Sequence, residues 1–327
     1  MHIPVVDCQD GGVPAHASQI YTAITTVGFV YLKNTGLSSD EEVVSKSPRQ
    51  GYLSSCCRFI PPEILENSKL WVSKVFGLAD QFWALSSDVK SKYARPKDYE
   101  REGNTGYVAP NVEILNPSSA AELREAFNFR PDDPLKEDIN KDVPDFTHTL
   151  RQFSNHCFDI SLQILRVLAK GLNFPPDFFD KNHSLRESAT TIRLLHYPPL
   201  PADIPAGAVR CGEHSDYGTI TLLFQDDIGG LEVCGRDGKF IPATPVADAV
   251  LVNTGDLLQR WSSDRVVAVR HRVLIPEDER LYRSDRRSVA FFVHPNDNEL
   301  VKPHDGATTY EPVTAKQHLL NMFKKTY

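Results

Sequence analysis

The 327-residue chain is poor in cysteine, in long apolar runs and in clustered basic residues. Its six cysteines (Cys8, Cys56, Cys57, Cys157, Cys211 and Cys234) form no Cys-x-x-Cys pair and are too sparse for a secreted disulfide framework. They read as free thiols of a reducing compartment, and a zinc ribbon is excluded. No stretch approaches the ~18 uninterrupted apolar residues of a membrane span, and Met1–Asp7 lacks the charged start and apolar run of a secretory signal. The expected location is cytoplasmic, with no membrane partner. With 36 Lys+Arg against 43 Asp+Glu the formal charge is −7 and no basic block stands out. Nucleic acid, which is bound by clustered Lys and Arg, is therefore not an expected partner. Internal repeats and low-complexity segments are also missing, which excludes solenoids and tail proteins.

What is present is an ordinary globular composition, 41% hydrophobic and 24% charged, and a length that suggests about two domains at ~150 residues each. The first half is helical in pattern. Ile20, Tyr21, Ile24 and Val27 recur at helical spacing over 17–27, followed by the apolar run Phe29-Val30-Tyr31-Leu32. A second helix is expected from about Pro62 to Leu85, and a third from Leu150, where Phe153, Cys157, Ile160, Ile164 and Leu168 advance by three or four until Gly171 and Pro175-Pro176. Beyond about residue 188 short Val/Ile/Thr/Leu runs separated by turns replace this pattern. They predict strands at 190–197, 219–224, 231–234, 249–253, 266–273 and 288–293, and many short strands of this kind point to a sandwich or jelly roll. Thr314-x-x-Gln317 has the form of a capping box for a last helix. Residues 44–60 show neither period and read as an exposed insertion.

Most of the eleven histidines sit without a second ligand type at useful spacing, while His196 and His294 lie at strand ends where packing is the simpler role. His214 and Asp216 are different. Two apart at the mouth of a predicted strand, they share one face. His271, inside a later strand pattern, would be the third member of a set of two imidazoles and one carboxylate, the arrangement of non-haem Fe(II) with open positions opposite.

The surrounding residues carry a resemblance. Gly212-Glu213-His214-Ser215-Asp216-Tyr217-Gly218-Thr219, Gly230-Leu231-Glu232-Val233, Val252-Asn253-Thr254-Gly255-Asp256, His271-Arg272-Val273 and Arg286-Arg287-Ser288-Val289-Ala290-Phe291-Phe292 resemble, in order and interval, the Fe(II)/2-oxoglutarate-dependent dioxygenases of the isopenicillin N synthase-like superfamily. Ile3-Pro4-Val5-Val6-Asp7 and Gly28-Phe29-Val30-Tyr31-Leu32 look like that family's opening segments, so nearly the whole chain is covered.

The resemblance implies an α+β fold with a mainly β core, a double-stranded β-helix (distorted jelly roll) wrapped by N-terminal helices and a C-terminal helix. It divides the chain into an N-terminal region at 1–130, a long helix within 131–186, the dioxygenase core at 187–297 and a C-terminal helix within 298–327. It makes His214, Asp216 and His271 the metal ligands, with Arg286, Ser288 and Tyr197 binding the far carboxylate of 2-oxoglutarate. Arg287, next door, would point to the opposite face. Fe(II), 2-oxoglutarate and O2 are the implied cofactors and co-substrates, with ascorbate as an auxiliary reductant. The implied reaction oxidises, by hydroxylation, a small organic molecule with formation of succinate and CO2, in a monomer.

Two departures from the family pattern are Leu195, where an Asn is usual, and Thr35, where a His is usual. The alternatives are a same-fold Fe(II) oxidase that binds a substrate carboxylate with Arg286 and Ser288, a zinc hydrolase on the same ligands, and a non-catalytic binding protein. Substrate-pocket walls are expected from Tyr107–Val112, the strand end near His196, Leu223, Phe292 and the C-terminal helix, mixed apolar with few charges.

Overall fold

The computed structural model describes residues 2–35, 65–113, 115, 122–200, 208–275, 278 and 283–326, and the insertion expected at 44–60 lies outside them. Twelve strands build the core: β1 (Val5–Asp7), β2 (Phe29–Lys33), β3 (Gly106–Val108), β4 (Glu125–Phe129), β5 (Thr191–Tyr197), β6 (Cys211–His214), β7 (Ile220–Gln225), β8 (Leu231–Cys234), β9 (Phe240–Pro242), β10 (Ala249–Thr254), β11 (His271–Val273) and β12 (Arg286–Val293). They form an eight-stranded sheet, in the order β1-β2-β10-β7-β12-β5-β4-β3, and a four-stranded sheet, β6-β11-β8-β9. All neighbours pair antiparallel except β1 with β2. This is the expected jelly roll.

The period of two gives the large sheet two different faces. Phe127, Ile192, Leu194, Leu222, Phe224, Val289 and Phe291 pack outward into a core shared with the helix Phe146–Leu172, whose Phe153 ring lies 5.3 Å from that of Phe224. The residues between them, among them Ala126, Leu195, Tyr197, Leu251 and Ala290, face the small sheet and meet Cys211, Leu231, Val233 and Val273. Burying each large side chain contributes about 1.5–3 kcal/mol, so the outward core holds the barrel rigid while the inward face stays free for chemistry.

Three expectations change. The long helix begins at Phe146, a turn before Leu150, because Phe146 and Thr149 are buried in register with the later core positions. Gly171 does not stop it. The helix continues to Leu172 and ends with Asn173 at φ 57°, while a Cβ on Gly171 would lie 2.2 Å from the Tyr21 ring, so this glycine serves close helix packing. The stretch 266–273 is strand only over His271–Val273. Upstream, its backbone groups bind side chains instead of a ladder: Val266 N donates to Ser262 Oγ at 3.1 Å, Ala268 N to Gln259 Oε1 at 2.7 Å, and Val267 O accepts from Thr254 Oγ1 at 2.8 Å. The C-terminal helix Ala315–Thr326 starts as expected, with Gln317 N donating to Thr314 Oγ1 at 3.2 Å. Among the described residues no helix is long and apolar enough to cross a membrane, and Cys8, Cys157, Cys211 and Cys234 are free and buried.

Candidate metal centre

His214 closes β6 and His271 opens β11, and the two are register partners across the ladder with ring centroids 4.3 Å apart. Nδ1 of His214 lies 2.8 Å from the Gly212 carbonyl, and Nδ1 of His271 lies 3.1 Å from the Val269 carbonyl. A carbonyl can only accept, so each Nδ1 carries the proton and each Nε2 offers a lone pair. Both Nε2 atoms turn toward Asp216 Oδ1, at 3.9 and 3.7 Å. Asp216 is not on the strand with His214, as the spacing suggested, but in the turn that follows it.

That turn is fastened from behind. Asp256 N donates to Asp216 O at 2.8 Å, Leu257 N to Gly218 O at 3.0 Å and Gly255 N to Thr219 O at 3.0 Å. The approach is so close that a Cβ on Gly255 would lie 2.5 Å from Gly218 O. The carboxylate of Asp216 is shared out in the same way. Its Oδ2 accepts from Thr221 Oγ1 at 2.6 Å and from Asn253 Nδ2 at 2.5 Å, which leaves Oδ1 for a cation.

Burial works to raise the Asp216 pKa, but the adjoining His271 and His214 and these two hydrogen bonds outweigh it and hold the carboxyl below its ordinary value. Burial and the neighbouring His214 push His271 down to about 4, so it stays neutral. One candidate ligand atom from each of the three residues lies within 4.8 Å of the others. Two imidazoles and a carboxylate on one side of a point suit a divalent first-row metal with open positions opposite.

A cavity of about 390 Å³ contains all six residues expected at the site. Inward positions run along β12 from Phe292 and Ala290 to Ser288 and Arg286, the last opposite Tyr197. The Arg286 guanidinium lies 4.6 Å over the Tyr197 ring. Its Nε donates to Gly229 O at 2.7 Å and Nη2 to Gln225 Oε1 at 3.4 Å, whereas Nη1 is buried without a partner among the described residues. A buried guanidinium with no carboxylate of its own and one unmatched N–H is a fitting receptor for a ligand carboxylate. Arg287 points outward, as expected, its Nη1 donating to Asp80 at 2.6 Å. Leu195 lies opposite Ser288, so the Asn of the family pattern is replaced by apolar contact at this level of the barrel.

Leu223, Phe292 and the C-terminal helix, through Leu319, Leu320 and Phe323, line the cavity as expected. So does the strand end near His196, through Leu195 and Tyr197, although His196 itself and Tyr107–Val112 do not. Tyr107 and His196 occupy outward positions of β3 and β5, where both meet Glu125, at 2.5 Å from the Tyr107 hydroxyl and 2.8 Å from His196 Nδ1. His294 does line the cavity and is buried. The expectation of few charges is also corrected, since six cationic and six anionic side chains among the described residues line the wall. Arg193 carried a readable signal, two and four residues from Leu195 and Tyr197 on one strand face. Glu113 carried none.

Two facing antiparallel sheets with a His-Asp-His cluster at one level and a buried anion receptor deeper in define a jelly-roll oxygenase. The chain belongs to the 2OG-Fe(II) oxygenase superfamily, whose model matches residues 188–295. It is 32% identical to the 2-oxoglutarate-dependent dioxygenase htyE of Aspergillus rugulosus, over 85% of this chain and 89% of that one. It is 31% identical to the proline hydroxylase buaE of Petromyces alliaceus, over 78% and 85% respectively. Among solved structures, a full-length Neurospora crassa protein in complex with alpha-KG matches with TM-score 0.75 and 29% identity, over 98% of this chain and 96% of that one. The protein is thus an oxidoreductase that uses Fe(II) and 2-oxoglutarate to oxidise a small organic molecule, with formation of succinate and CO2.

Proposed function

We propose that His214, Asp216 and His271 hold the Fe(II), that Arg286, Ser288 and Tyr197 receive the far carboxylate of 2-oxoglutarate, and that a small molecule is hydroxylated beside them. The observation that carries this reading is the unmatched Nη1 of Arg286 in the same cavity as the His-Asp-His cluster. When bound, the metal supplies oxygen activation coupled to decarboxylation of 2-oxoglutarate.

The protein's own residues fix geometry. Thr221 and Asn253 orient Asp216 Oδ1, the Gly212 and Val269 carbonyls fix both imidazole tautomers, and Gly229 O and the Tyr197 ring hold the Arg286 fork toward the carboxylate. Substrate enters past Leu319, Leu320 and Phe323, which with Leu223 and Phe292 give the cavity its apolar part. Buried free thiols support a cytoplasmic location. The exposed large apolar residues among those described, Val5, Val112, Val267 and Leu300, are few, which favours a monomer.

The test is anaerobic reconstitution with Fe(II) and 2-oxoglutarate, reading the ferrous 2-oxoglutarate absorption band, followed by release of labelled CO2 on admission of air. The band is expected in the native protein and absent in Asp216→Ala. Equal turnover in that variant would sink the ligand assignment, and substrate oxidation with no labelled CO2 would favour the oxidase alternative.

A further inference from the structure

The charges that the described residues bring to the cavity divide into two balanced groups. If the proposed site holds, a divalent metal with Asp216 and Arg286 carries two net positive charges, which the 2-oxoglutarate dianion cancels. The rest of the wall then has five cations and five anions of its own.

The buried part of that wall is closely paired. Arg193 stands inward on β5, opposite Asn128 on one side and Ala290 on the other, two residues along the strand from Thr191. Its Nη1 donates to Glu113 Oε1 at 3.0 Å, and its Nη2 also donates to Glu113. The same Glu113 accepts from Arg124 Nη1 at 2.8 Å, and Arg124 Nη2 donates to Glu122 at 2.9 Å. Glu113 and Arg124 are only 7% and 5% exposed. Further out, Arg130 lies 3.7 Å from Asp133.

A substrate carboxylate approaching the Nη atoms of Arg193 would have to take them from Glu113 and leave that carboxylate buried with less compensation. Buried charges that lose a partner are strongly destabilising, so the wall resists an acid and accepts a neutral molecule. Asn128 adds a second preference. Arg95 Nη1 holds Asn104 Oδ1 at 3.0 Å, and Asn128 Nδ2 lies 3.4 Å from that same oxygen, which fixes the amide's orientation. Asn128 Oδ1 is then a buried acceptor with no partner among the described residues, on a residue that lines the cavity.

We infer that the substrate end of the cavity takes an uncharged molecule bearing an N–H or O–H donor, and that Glu113, by holding Arg193 and Arg124, sets this preference. This rests on the proposed metal and 2-oxoglutarate sites and deepens them. It makes Glu113 a specificity-determining residue rather than a catalytic one.

The experiment uses the anaerobic Fe(II)/2-oxoglutarate complex and two matched probe pairs, benzamide with benzoate and N-acetylprolinamide with N-acetylproline. Perturbation of the absorption band is titrated to an apparent Kd for each. In the native protein the amide of at least one pair binds ~10-fold or more tighter than its acid. Glu113→Gln moves that ratio toward the acid by ~10-fold, and the double variant Glu113→Gln with Arg193→Gln returns it. Should Glu113→Gln not fold, Arg193→Gln must retain the amide preference. Acids that tie or win in the native protein, a ratio unchanged in Glu113→Gln, or silence of all four probes overturns the inference. Failure of the band to form before any probe is added instead overturns the site assignment on which it stands.

Discussion

His318 Nε2 lies 3.3 Å from Asp256 Oδ2, and the other oxygen of that carboxylate accepts from Ser215, the residue between His214 and Asp216, at 2.9 Å. The C-terminal helix that walls the cavity is thereby tied to the metal turn, with a second tie from the Tyr217 hydroxyl to Thr326 Oγ1 at 2.9 Å. Losing one such bond costs about 1 kcal/mol. His318→Ala should therefore raise the substrate KM roughly fivefold while leaving the KM for 2-oxoglutarate and the iron content unchanged. Steady-state kinetics with each varied separately checks this, and a parallel rise in both KM values would count against a role confined to the substrate wall.

Asn253→Ala removes one of the two hydrogen bonds to Asp216 Oδ2. Outer partners of metal ligands typically contribute 10–100-fold to metal affinity, so Fe(II) should be lost at ~10-fold lower chelator concentration. Competition with a ferrous chromophore reads this directly.

Arg286 and Arg287 provide an internal control. Arg286→Lys keeps the charge but removes the planar fork, and it should raise the KM for 2-oxoglutarate by roughly 10–100-fold. Arg287→Ala breaks the outward pairs with Asp80 and Asp226, such partly exposed pairs being worth about 0–1 kcal/mol each, and should leave that KM where it was.

The Glu125–His196 pair should contribute most to stability in mildly acidic solution. Burial disfavours the Glu125 carboxylate, but hydrogen bonds from His196, Tyr107 and Lys90 outweigh it and hold its pKa at about 2 against an ordinary 4.5. Burial likewise disfavours charged His196, yet Glu125 and Asp285 raise its pKa above the ordinary 6.5. A depressed acid stabilises the fold above its unfolded value, and this is lost as pH falls from 4.5 toward 2. A raised imidazole stabilises below 6.5 and loses this as pH rises through its folded value. Both contributions are intact between 4.5 and 6.5. In urea unfolding at several pH values, the stability difference between the native protein and Glu125→Gln should be largest in this window, at about 3 kcal/mol, and shrink on either side.

Residues that act through short spacing were legible in the sequence. His214 and Asp216 stood out by sitting two apart, Arg286 and Ser288 by the family resemblance, and a two-residue period suffices to separate Arg286 from Arg287. The irregular path of 266–270 was not legible, because Ser262, Gln259 and Thr254 capture its backbone from elsewhere in the fold. Gly171 looked like punctuation because the ring it accommodates, that of Tyr21, is 150 positions away. The charged wall escaped for the same reason: Glu113 meets Arg124 across 11 positions and Arg193 across 80. No local pattern encodes such partners.

The two faces of β12 set how this protein can tolerate lesions. Arg286, Ser288, Ala290 and Phe292 serve the cavity, while Val289 and Phe291 serve the core against the long helix. One inserted or deleted codon within this strand exchanges the two sets at a stroke, placing a guanidinium in the core and aromatic rings in the co-substrate site. In a mutational scan β12 should thus accept conservative replacements at many positions and reject every length change, whereas the connections at its ends should vary in length freely.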